Sequence, residues 1–312
     1  MKLLITGGAG FIGSQLTDYF LGKGHVVSVI DNLSWGKHAF IAHNLPNKKF
    51  SFYKADLLDY QKVLKMFTED IDTVFHLAAN SDIMRGAIDP DIDFANTTVA
   101  TFHVLKAMRE KNIKRIFFLS GSGVYGNVGK KIIKETFGPL YPVSMYGATK
   151  LSAEGMISAF VNLYDMQAWI LRPANIIGPR ATHGVIFDFI NQLKKDPRHL
   201  RILGDGKQTK SYLYVDDVLA AMDVVWHKSR VPIDVFNLTS TTYISVNEIA
   251  KLVIQGMGLK DVRETRTGGR GGWKGDVPII KMDNSKLERF GWHSTYTTKQ
   301  AVKKTIDNLL HQ

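Results

Sequence analysis

The stretch KLLITGGAGFIGS, residues 2–14, decides how the start of the chain folds. A short apolar run typical of a buried strand ends in glycines, and apolar residues then return at helical spacing. Gly7 allows a tight turn, Gly10 lets the backbone approach a pyrophosphate, and Gly13 allows close packing of helix on strand. The free N–H groups and positive dipole end of a helix N-terminus attract phosphate. The stretch therefore predicts a strand, a phosphate-binding turn and a helix.

Acidic residues follow the next two strand-like segments. Asp31 comes directly after residues 26–30, where a carboxylate would accept hydrogen bonds from both ribose hydroxyls and repel a 2′-phosphate. This arrangement favours NAD over NADP, although Asp31 is also compatible with a simple turn. Asp56 follows residues 50–54 and either holds the adenine amino group or caps the next helix, residues 60–67.

The composition excludes several classes of protein. The chain has 312 residues and no cysteine, so it has a sizeable core without disulfides or thiolate chemistry, and we predict no metal site. No apolar segment is long enough for a membrane, and no leader precedes the first strand, so we expect a cytoplasmic protein without a membrane partner. The net charge of +11 comes from scattered lysines without interleaved aromatics, so we predict no nucleic-acid partner.

Strand-like and helical patterns alternate through the first half of the chain. Such alternation predicts an α/β fold, a Rossmann-type doubly wound parallel sheet over residues 1–173. Residues 174–312 follow a mixed pattern and are expected to form a smaller α/β domain for the substrate, with residues 235–240 returning to the large sheet. The further predicted strands are 73–77, 115–119 and 168–172, and the long helices are 94–111 and about 145–165.

Tyr146 and Lys150 are the strongest candidates for chemistry. They are four residues apart, so both side chains project from one face of the predicted helix. Such pairs are common by chance, but this one follows the fifth strand of a dinucleotide fold, where a helix lies beside the nicotinamide. His76 lies inside an apolar strand and is interpreted as a packed core histidine rather than a base.

Together these motifs resemble the extended short-chain dehydrogenase/reductases, and within them the nucleotide-sugar epimerases of the NAD-dependent epimerase/dehydratase family. The resemblance spans almost the whole chain. Besides the glycine stretch and the Tyr146–Lys150 pair, it rests on HLAA at 76–79, VYG at 124–126, RPAN at 172–175 and YVDD at 214–217.

The resemblance implies an NAD-dependent epimerase that inverts C4 of a UDP-hexose through a transient 4-keto sugar. The implied substrates are UDP-glucose and UDP-galactose, and the implied assembly is a homodimer. Tyr146 would be the acid/base, and Lys150 would support it while holding the nicotinamide ribose. Because a free tyrosine has a pKa near ~10, a nearby ammonium and the positive nicotinamide are needed to stabilise the phenolate. The alternatives are UDP-N-acetylhexosamine or UDP-glucuronate as substrate, a net reductase, or a non-catalytic NAD- or RNA-binding protein on the same scaffold.

Further contacts follow from the same resemblance. Asn175 and Arg270 would hold the nucleotide diphosphate, Val185 would lie beside the uracil, and Lys210 stands where relatives commonly have arginine, without its planar fork. The expected cofactor contacts are Gly7, Gly10, Phe11, Ile12, Gly13, Asp31, Asn32, Ser34, Asp56, Leu57, Leu77, Ala78, Ala79, Asn96, Ser120, Tyr146, Lys150 and Pro173. The expected substrate contacts are Ser81, Ser122, Tyr146, Asn175, Val185, Lys210, Arg270 and Asp276.

One loop departs from the family pattern. Gly121 occupies the position, three residues before the valine of VYG, where the family usually has a catalytic serine or threonine. Ser120 and Ser122 flank it, and we favour Ser122 as the third catalytic residue. Related dehydratases and decarboxylases carry acids at the positions of Ser122 and Gly123, so their absence here favours redox epimerisation.

Overall fold

The computed structural model describes residues 1–269, 272, 277 and 279–312. The strands are β1 (Lys2–Thr6), β2 (Val26–Asp31), β3 (Phe50–Lys54), β4 (Thr73–His76), β5 (Arg115–Leu119), β6 (Ile132–Ile133), β7 (Gln167–Pro173), β8 (Asn175–Ile177), β9 (His199–Ile202), β10 (Thr209–Lys210), β11 (Tyr212–Tyr214), β12 (Ile233–Leu238), β13 (Ile244–Ser245), β14 (Arg263–Arg266) and β15 (Lys281–Met282). The helices are α1 (Phe11–Gly22), α2 (Tyr60–Leu64), α3 (Ile83–Ile88), α4 (Pro90–Asp93), α5 (Ala100–Glu110), α6 (Met145–Tyr164), α7 (Val185–Lys195), α8 (Val215–Lys228), α9 (Val246–Gly256), α10 (Ser285–Arg289) and α11 (Thr298–Leu310).

A seven-stranded parallel sheet organises the described part of the chain. Its strand order is β12-β7-β5-β4-β1-β2-β3, which confirms the predicted Rossmann-type doubly wound fold. The segment expected to return late in the chain does so as β12, which pairs in parallel with β7. The order reverses between β1 and β4, and ligands of such sheets bind outside the carboxyl ends of the strands at this point.

Both faces of the sheet are buried, because alternate residues of a strand point to opposite sides. In β1, Leu3 and Ile5 belong to the core beneath α1, α8 and α11, whereas Leu4 belongs to the core beneath α5 and α6. The near-continuous apolar run of this strand is therefore what a central parallel strand requires.

Short strand pairs organise much of the second half. They are β8 with β11, β10 with β13, β9 with β14, and β6 with β15. A capping box begins α9, in which the side chains of Ser245 and Glu248 each accept the other residue's backbone N–H. Strands of two or three residues are too short to show a period, so β6, β8, β10, β13 and β15 were missed by sequence analysis.

The predicted helix over residues 94–111 has two parts. A π-helical turn spans Phe94–Val99, and α5 continues from it to Glu110. The helices α3 and α4, which precede this turn, were not predicted. None of the helices in the described ranges has the length and apolar character that a membrane crossing needs.

Candidate active site

A cavity of about 1040 Å³ lies where the strand order reverses, at the carboxyl ends of the parallel strands. Every predicted contact residue that the structure describes lines this cavity except Lys150. The predicted contacts Arg270 and Asp276 lie outside the described residues. Residues as distant in the sequence as Gly7 and Pro173 thus meet at one surface, because every strand of the parallel sheet ends on the same side.

The turn after β1 is built by glycines that tolerate no side chain. Gly7 has φ +71°, and a Cβ there would lie 2.8 Å from the Ala78 backbone nitrogen. A Cβ on Gly13 would overlap the carbonyl oxygen of Gly7. The N-cap of α1 is Gly10, which offers no side chain to the first N–H groups of the helix. Those N–H groups are suited to a pyrophosphate, so the turn fits a dinucleotide.

Two aspartates line the cavity beyond β2 and β3. Asp31 is buried, and its carboxylate accepts hydrogen bonds from the backbone N–H groups of Ala9 (2.9 Å) and Leu33 (2.7 Å). Burial raises the pKa of Asp31, and these two hydrogen bonds oppose the rise. Asp56 accepts a hydrogen bond from the Asn32 side chain at 3.0 Å. Asp59 caps α2, so the alternative role of Asp56 as a helix cap was wrong.

His76 is a core residue, as predicted. Its ring is fully buried and hydrogen-bonds the hydroxyls of Thr6 (2.6 Å) and Thr101 (3.0 Å). Burial, together with the charge of Lys150, lowers the pKa of His76 to about 3, so the ring is neutral at physiological pH. Its role is to join β1, β4 and α5 behind the cavity.

Asn96 reaches the cavity from the π-helical turn Phe94–Val99. Its side-chain amide donates to the carbonyl oxygen of Ile92 at 2.9 Å. The next residue, Thr97, is fully buried, and its hydroxyl has no hydrogen-bond partner among the described residues. Single π turns are common at functional sites, because they rotate side chains out of the α-helical register.

The helix α6 presents Tyr146 to the cavity. The helix begins at Met145, and the Ser144 hydroxyl accepts the backbone N–H of Gly147 at 3.2 Å. Tyr146 is half-buried on the cavity wall, whereas Lys150 is only 3% exposed and lies behind it. The ammonium of Lys150 donates to the carbonyl oxygen of Leu119 at 2.7 Å and lies 5.8 Å from the Tyr146 ring centroid.

The protein's own groups oppose formation of the phenolate. Burial, assisted by the negative charge of Asp93, raises the pKa of Tyr146 to about 12. Burial lowers the pKa of Lys150 to about 7, against the opposing charges of Glu154 and Asp93. A positive charge in the cavity beside the phenol would lower the pKa of Tyr146 again.

The loop after β5 brings Gly121 against the phenol. A Cβ on Gly121 would lie 3.4 Å from the Tyr146 hydroxyl, and its φ of −175° is accessible to any residue. Ser122 is half-buried on the cavity. Ser120 also borders the cavity, but it is buried and its hydroxyl donates to a carboxylate oxygen of Glu154 at 2.5 Å. The bond to Glu154 engages the Ser120 hydroxyl, whereas the Ser122 hydroxyl makes no such bond.

The second half of the chain supplies the opposite wall. Asn175 lies in β8, and its side-chain amide donates to the carbonyl oxygen of Ser211 at 3.2 Å. Val185 is the first residue of α7, and Lys210 lies in β10. Ser81 reaches the same cavity from the loop after β4.

Sequence analysis missed three residues that converge at this cavity from distant loops. The Arg85 guanidinium lies 5.9 Å from the ring centroid of Trp35, whose edge faces His183 at a centroid separation of 6.4 Å. The sequence feature that could have pointed to this group is Trp35, which directly follows the predicted cofactor contact Ser34 in the loop after Asp31. The described residues contain no cluster of His, Cys, Asp or Glu suited to a metal ion.

Fold and site together define a dinucleotide-binding protein with a tyrosine–lysine pair at its cavity. The model of the NAD-dependent epimerase/dehydratase family matches residues 3–238. The UDP-glucose 4-epimerase of Mycolicibacterium smegmatis is 31% identical over 317 residues, covering 98% of each chain. The chain belongs to this family, as the sequence motifs predicted.

Solved structures agree with this placement. A UDP-galactose 4-epimerase has a TM-score of 0.89 and 34% identity, with 100% of this chain and 99% of the other covered. UDP-glucuronic acid 4-epimerase from Bacillus cereus, in complex with UDP-glucuronic acid and NAD, has a TM-score of 0.88 and 27% identity over 100% of this chain and 99% of the other. NAD is the cofactor of the family and of this chain, in agreement with the glycine turn and Asp31.

Proposed function

We propose that the protein is an NAD-dependent epimerase that inverts C4 of a UDP-hexose, with UDP-glucose and UDP-galactose as the first candidates. The observation that carries the proposal is the Tyr146 hydroxyl on the cavity wall, with Lys150 behind it and Gly121 in front. The similarity to UDP-glucose and UDP-galactose 4-epimerases supports the choice of substrate.

Each residue has a distinct role in this reaction. NAD, when bound, supplies an acceptor that takes a hydride from the sugar and returns it. Tyr146 accepts the proton of the sugar 4-hydroxyl and later gives it back. Lys150 holds positive charge beneath the phenol, and its bond to Leu119 fixes it to the end of β5. Ser122 is the hydroxyl available to guide the proton between Tyr146 and the sugar.

The loop beside Tyr146 favours epimerisation over dehydration, the other activity in the family's name. No side chain from Ser120 to Gly123 carries a carboxyl group that could handle the proton of an elimination. A keto sugar must also present both faces to the hydride, which requires free space. Gly121 and Gly123 leave such space along the edge of the Tyr146 ring.

The remaining contacts are proposed in the places that the family pattern implies. Asn175 and Arg270 would hold the diphosphate, Lys210 would supply positive charge where relatives commonly have arginine, and Val185 would lie beside the uracil. We also propose a homodimer through the segments 94–111 and 145–165, supported by the exposed side chains of Phe94 (53%), Phe102 (44%) and Leu163 (69%). A cytoplasmic location, consistent with the lack of cysteine, stays a prediction.

Conversion of UDP-galactose to UDP-glucose by the purified protein tests the proposal. The Tyr146→Phe variant should lose at least about a hundredfold in kcat, because the proton then has no positioned acceptor. The control is Tyr141→Phe, a hydroxyl removed from an exposed tyrosine five residues away, which should leave kcat unchanged.

The same assay ranks the alternatives. UDP-N-acetylglucosamine and UDP-glucuronate are tested in parallel, and a higher kcat/KM for either would change the proposed sugar. Stoichiometric consumption of added NADH would indicate a net reductase instead. Absence of turnover with every UDP-sugar, combined with salt-sensitive RNA binding, would overturn the enzymatic proposal.

A further inference from the structure

Asp93 is a fully buried carboxylate close to the proposed catalytic pair. It is the last residue of α4, directly before the π-helical turn. One carboxylate oxygen accepts a hydrogen bond from the Asn80 side chain at 2.8 Å. The other oxygen, Oδ2, has no hydrogen-bond partner among the described residues.

The fold makes room for this group. Gly86 of α3 packs directly on Oδ2, and a Cβ on Gly86 would overlap that oxygen. Leaving a buried polar atom without a partner costs about 1–3 kcal/mol, and more for a charged group. Buried ionisable groups with perturbed pKa values cluster at functional sites, where the perturbation serves the chemistry.

The charges around Asp93 show which groups it affects. The helix α4, which ends at Asp93, packs against α6, which carries Tyr146 and Lys150. Asp93 interacts electrostatically with both of these residues and with Asp82, the N-cap of α3. Burial raises the pKa of Asp93, while the Asn80 hydrogen bond and the charge of Lys150 oppose the rise and favour the carboxylate.

Asp93 is one of two carboxylates that favour the charged form of Lys150, and Glu154 has the larger effect. Arg172 already binds Glu154 through two hydrogen bonds of 2.9 and 2.5 Å. No described cation forms an ion pair with Asp93 within 4.0 Å. Its field therefore acts on Lys150 and Tyr146 without local neutralisation.

We propose that Asp93 is a positioning residue for the redox step: its carboxylate retains the proton on Lys150 and opposes negative charge on Tyr146, and so sets the pH range in which the phenol works as a base. This inference rests on the proposed function for its effect on catalysis. The expected effect on the proton affinity of Tyr146 is independent of the proposed function.

Asp93→Asn removes the charge and preserves the shape of the side chain. Without the carboxylate the phenolate becomes easier to form, and Lys150 loses its proton more readily. Both limbs of the pH–kcat profile should therefore move to lower pH, by about one unit or more. The control is Asp91→Asn, an exposed carboxylate on the same helix, whose profile should stay in place.

A second readout does not need activity. The ultraviolet absorbance of phenolate is titrated in the protein and in its Tyr146→Phe variant, with and without Asp93→Asn, so that the difference reports Tyr146 alone. The expected result is a lower pKa of Tyr146 in the Asp93→Asn background. If the protein turned over no UDP-sugar, the proposed function would fail, whereas this titration would still decide the role of Asp93.

Two results would overturn the inference. One is an unchanged pKa of Tyr146 with an unmoved pH profile, whatever happens to kcat, since a purely structural role lowers the rate uniformly. The other comes from Asn80→Ala, which is used if Asp93→Asn fails to fold. Loss of the Asn80 donor favours protonated Asp93, so the profile should move in the same direction by a smaller amount, and a shift to higher pH would contradict the proposal.

Discussion

Two glycine-rich loops meet at the cavity, and they are rich in glycine for different reasons. In the loop after β1, a Cβ on Gly7, Gly8 or Gly13 would fall within 2.9 Å of neighbouring atoms or overlap them. In the loop after β5, a Cβ on Gly121 or Gly123 would meet no atom of the described residues closer than 3.4 Å. The first loop therefore needs glycine for its packing, whereas the second has room for side chains that this chain lacks.

The two loops are also held differently. The first is held through its backbone N–H groups: that of Gly7 donates to the carbonyl oxygen of Ile30 at 2.8 Å, and that of Ala9 donates to the Asp31 carboxylate at 2.9 Å. The second lies on buried side chains, because Ser120 donates to Glu154, and Arg172 joins Glu154 to the Tyr125 hydroxyl. Close backbone packing fixes the shape of the phosphate cradle, while the loop beside Tyr146 has steric room for a side chain.

The largest expected effect comes from breaking the support of the second loop. Glu154→Gln removes the charge opposite the buried Arg172 and should lower the free energy of unfolding by about 3 kcal/mol, since an unpaired charge then stays buried. Chemical denaturation measures the loss.

The matched control for this prediction is the pair of Arg266 and Glu264, whose side chains are 40% and 23% exposed. Its nitrogen–oxygen distance of 2.6 Å is close to the 2.5 Å of the buried pair. Glu264→Gln should cost less than about 1 kcal/mol, because water screens the exposed charges. Equal losses in the two variants would contradict the view that burial makes the Glu154–Arg172 pair important.

The next effect comes from adding a single methyl group to the first loop. Gly13→Ala should lower the free energy of unfolding by about 1–3 kcal/mol and abolish NAD binding, because the Cβ overlaps Gly7 where the phosphate cradle forms. Calorimetric titration with NAD and thermal unfolding measure both quantities.

Gly22→Ala is the control on the same helix. A Cβ there has no neighbour within 4 Å in the part of the chain that the structure describes, so the variant should bind NAD normally and gain up to about 1 kcal/mol from the higher helix propensity of alanine. Normal NAD binding by Gly13→Ala would show that the first loop adapts and that the contrast between the loops is not real.

The smallest effect on stability is expected at Gly121. Gly121→Ser should leave the midpoint of thermal unfolding nearly unchanged, and should raise kcat by up to about tenfold if a hydroxyl beside Tyr146 assists proton transfer. Gly121→Ala, which adds the same Cβ without a hydroxyl, should give no gain. A fall in kcat for both variants would indicate that the sugar itself needs the space over Gly121.

Local patterns predicted well those parts of the site whose residues are neighbours in the chain. The glycine turn, Asp31 at the end of β2, and the helix carrying Tyr146 all depend on contacts within a few residues, and periodicity reports such contacts. Lys150 shows the limit of this reasoning. Helical spacing places it on the side of Tyr146, but only the packing of α6 against β5 determines that it lies behind the tyrosine and outside the cavity wall.

The sequence by itself determined the fold class, the family, the cofactor and the residue types available for proton transfer, because each depends on short motifs in a fixed order. The tertiary structure alone decided that Ser120 is bound to Glu154, that Trp35 meets His183, and that one oxygen of the buried Asp93 has no hydrogen-bond partner among the described residues. These are contacts between segments far apart in the chain. The burial of a group and the charges near it depend on residues that are distant in the chain, so a local stretch of sequence does not determine them.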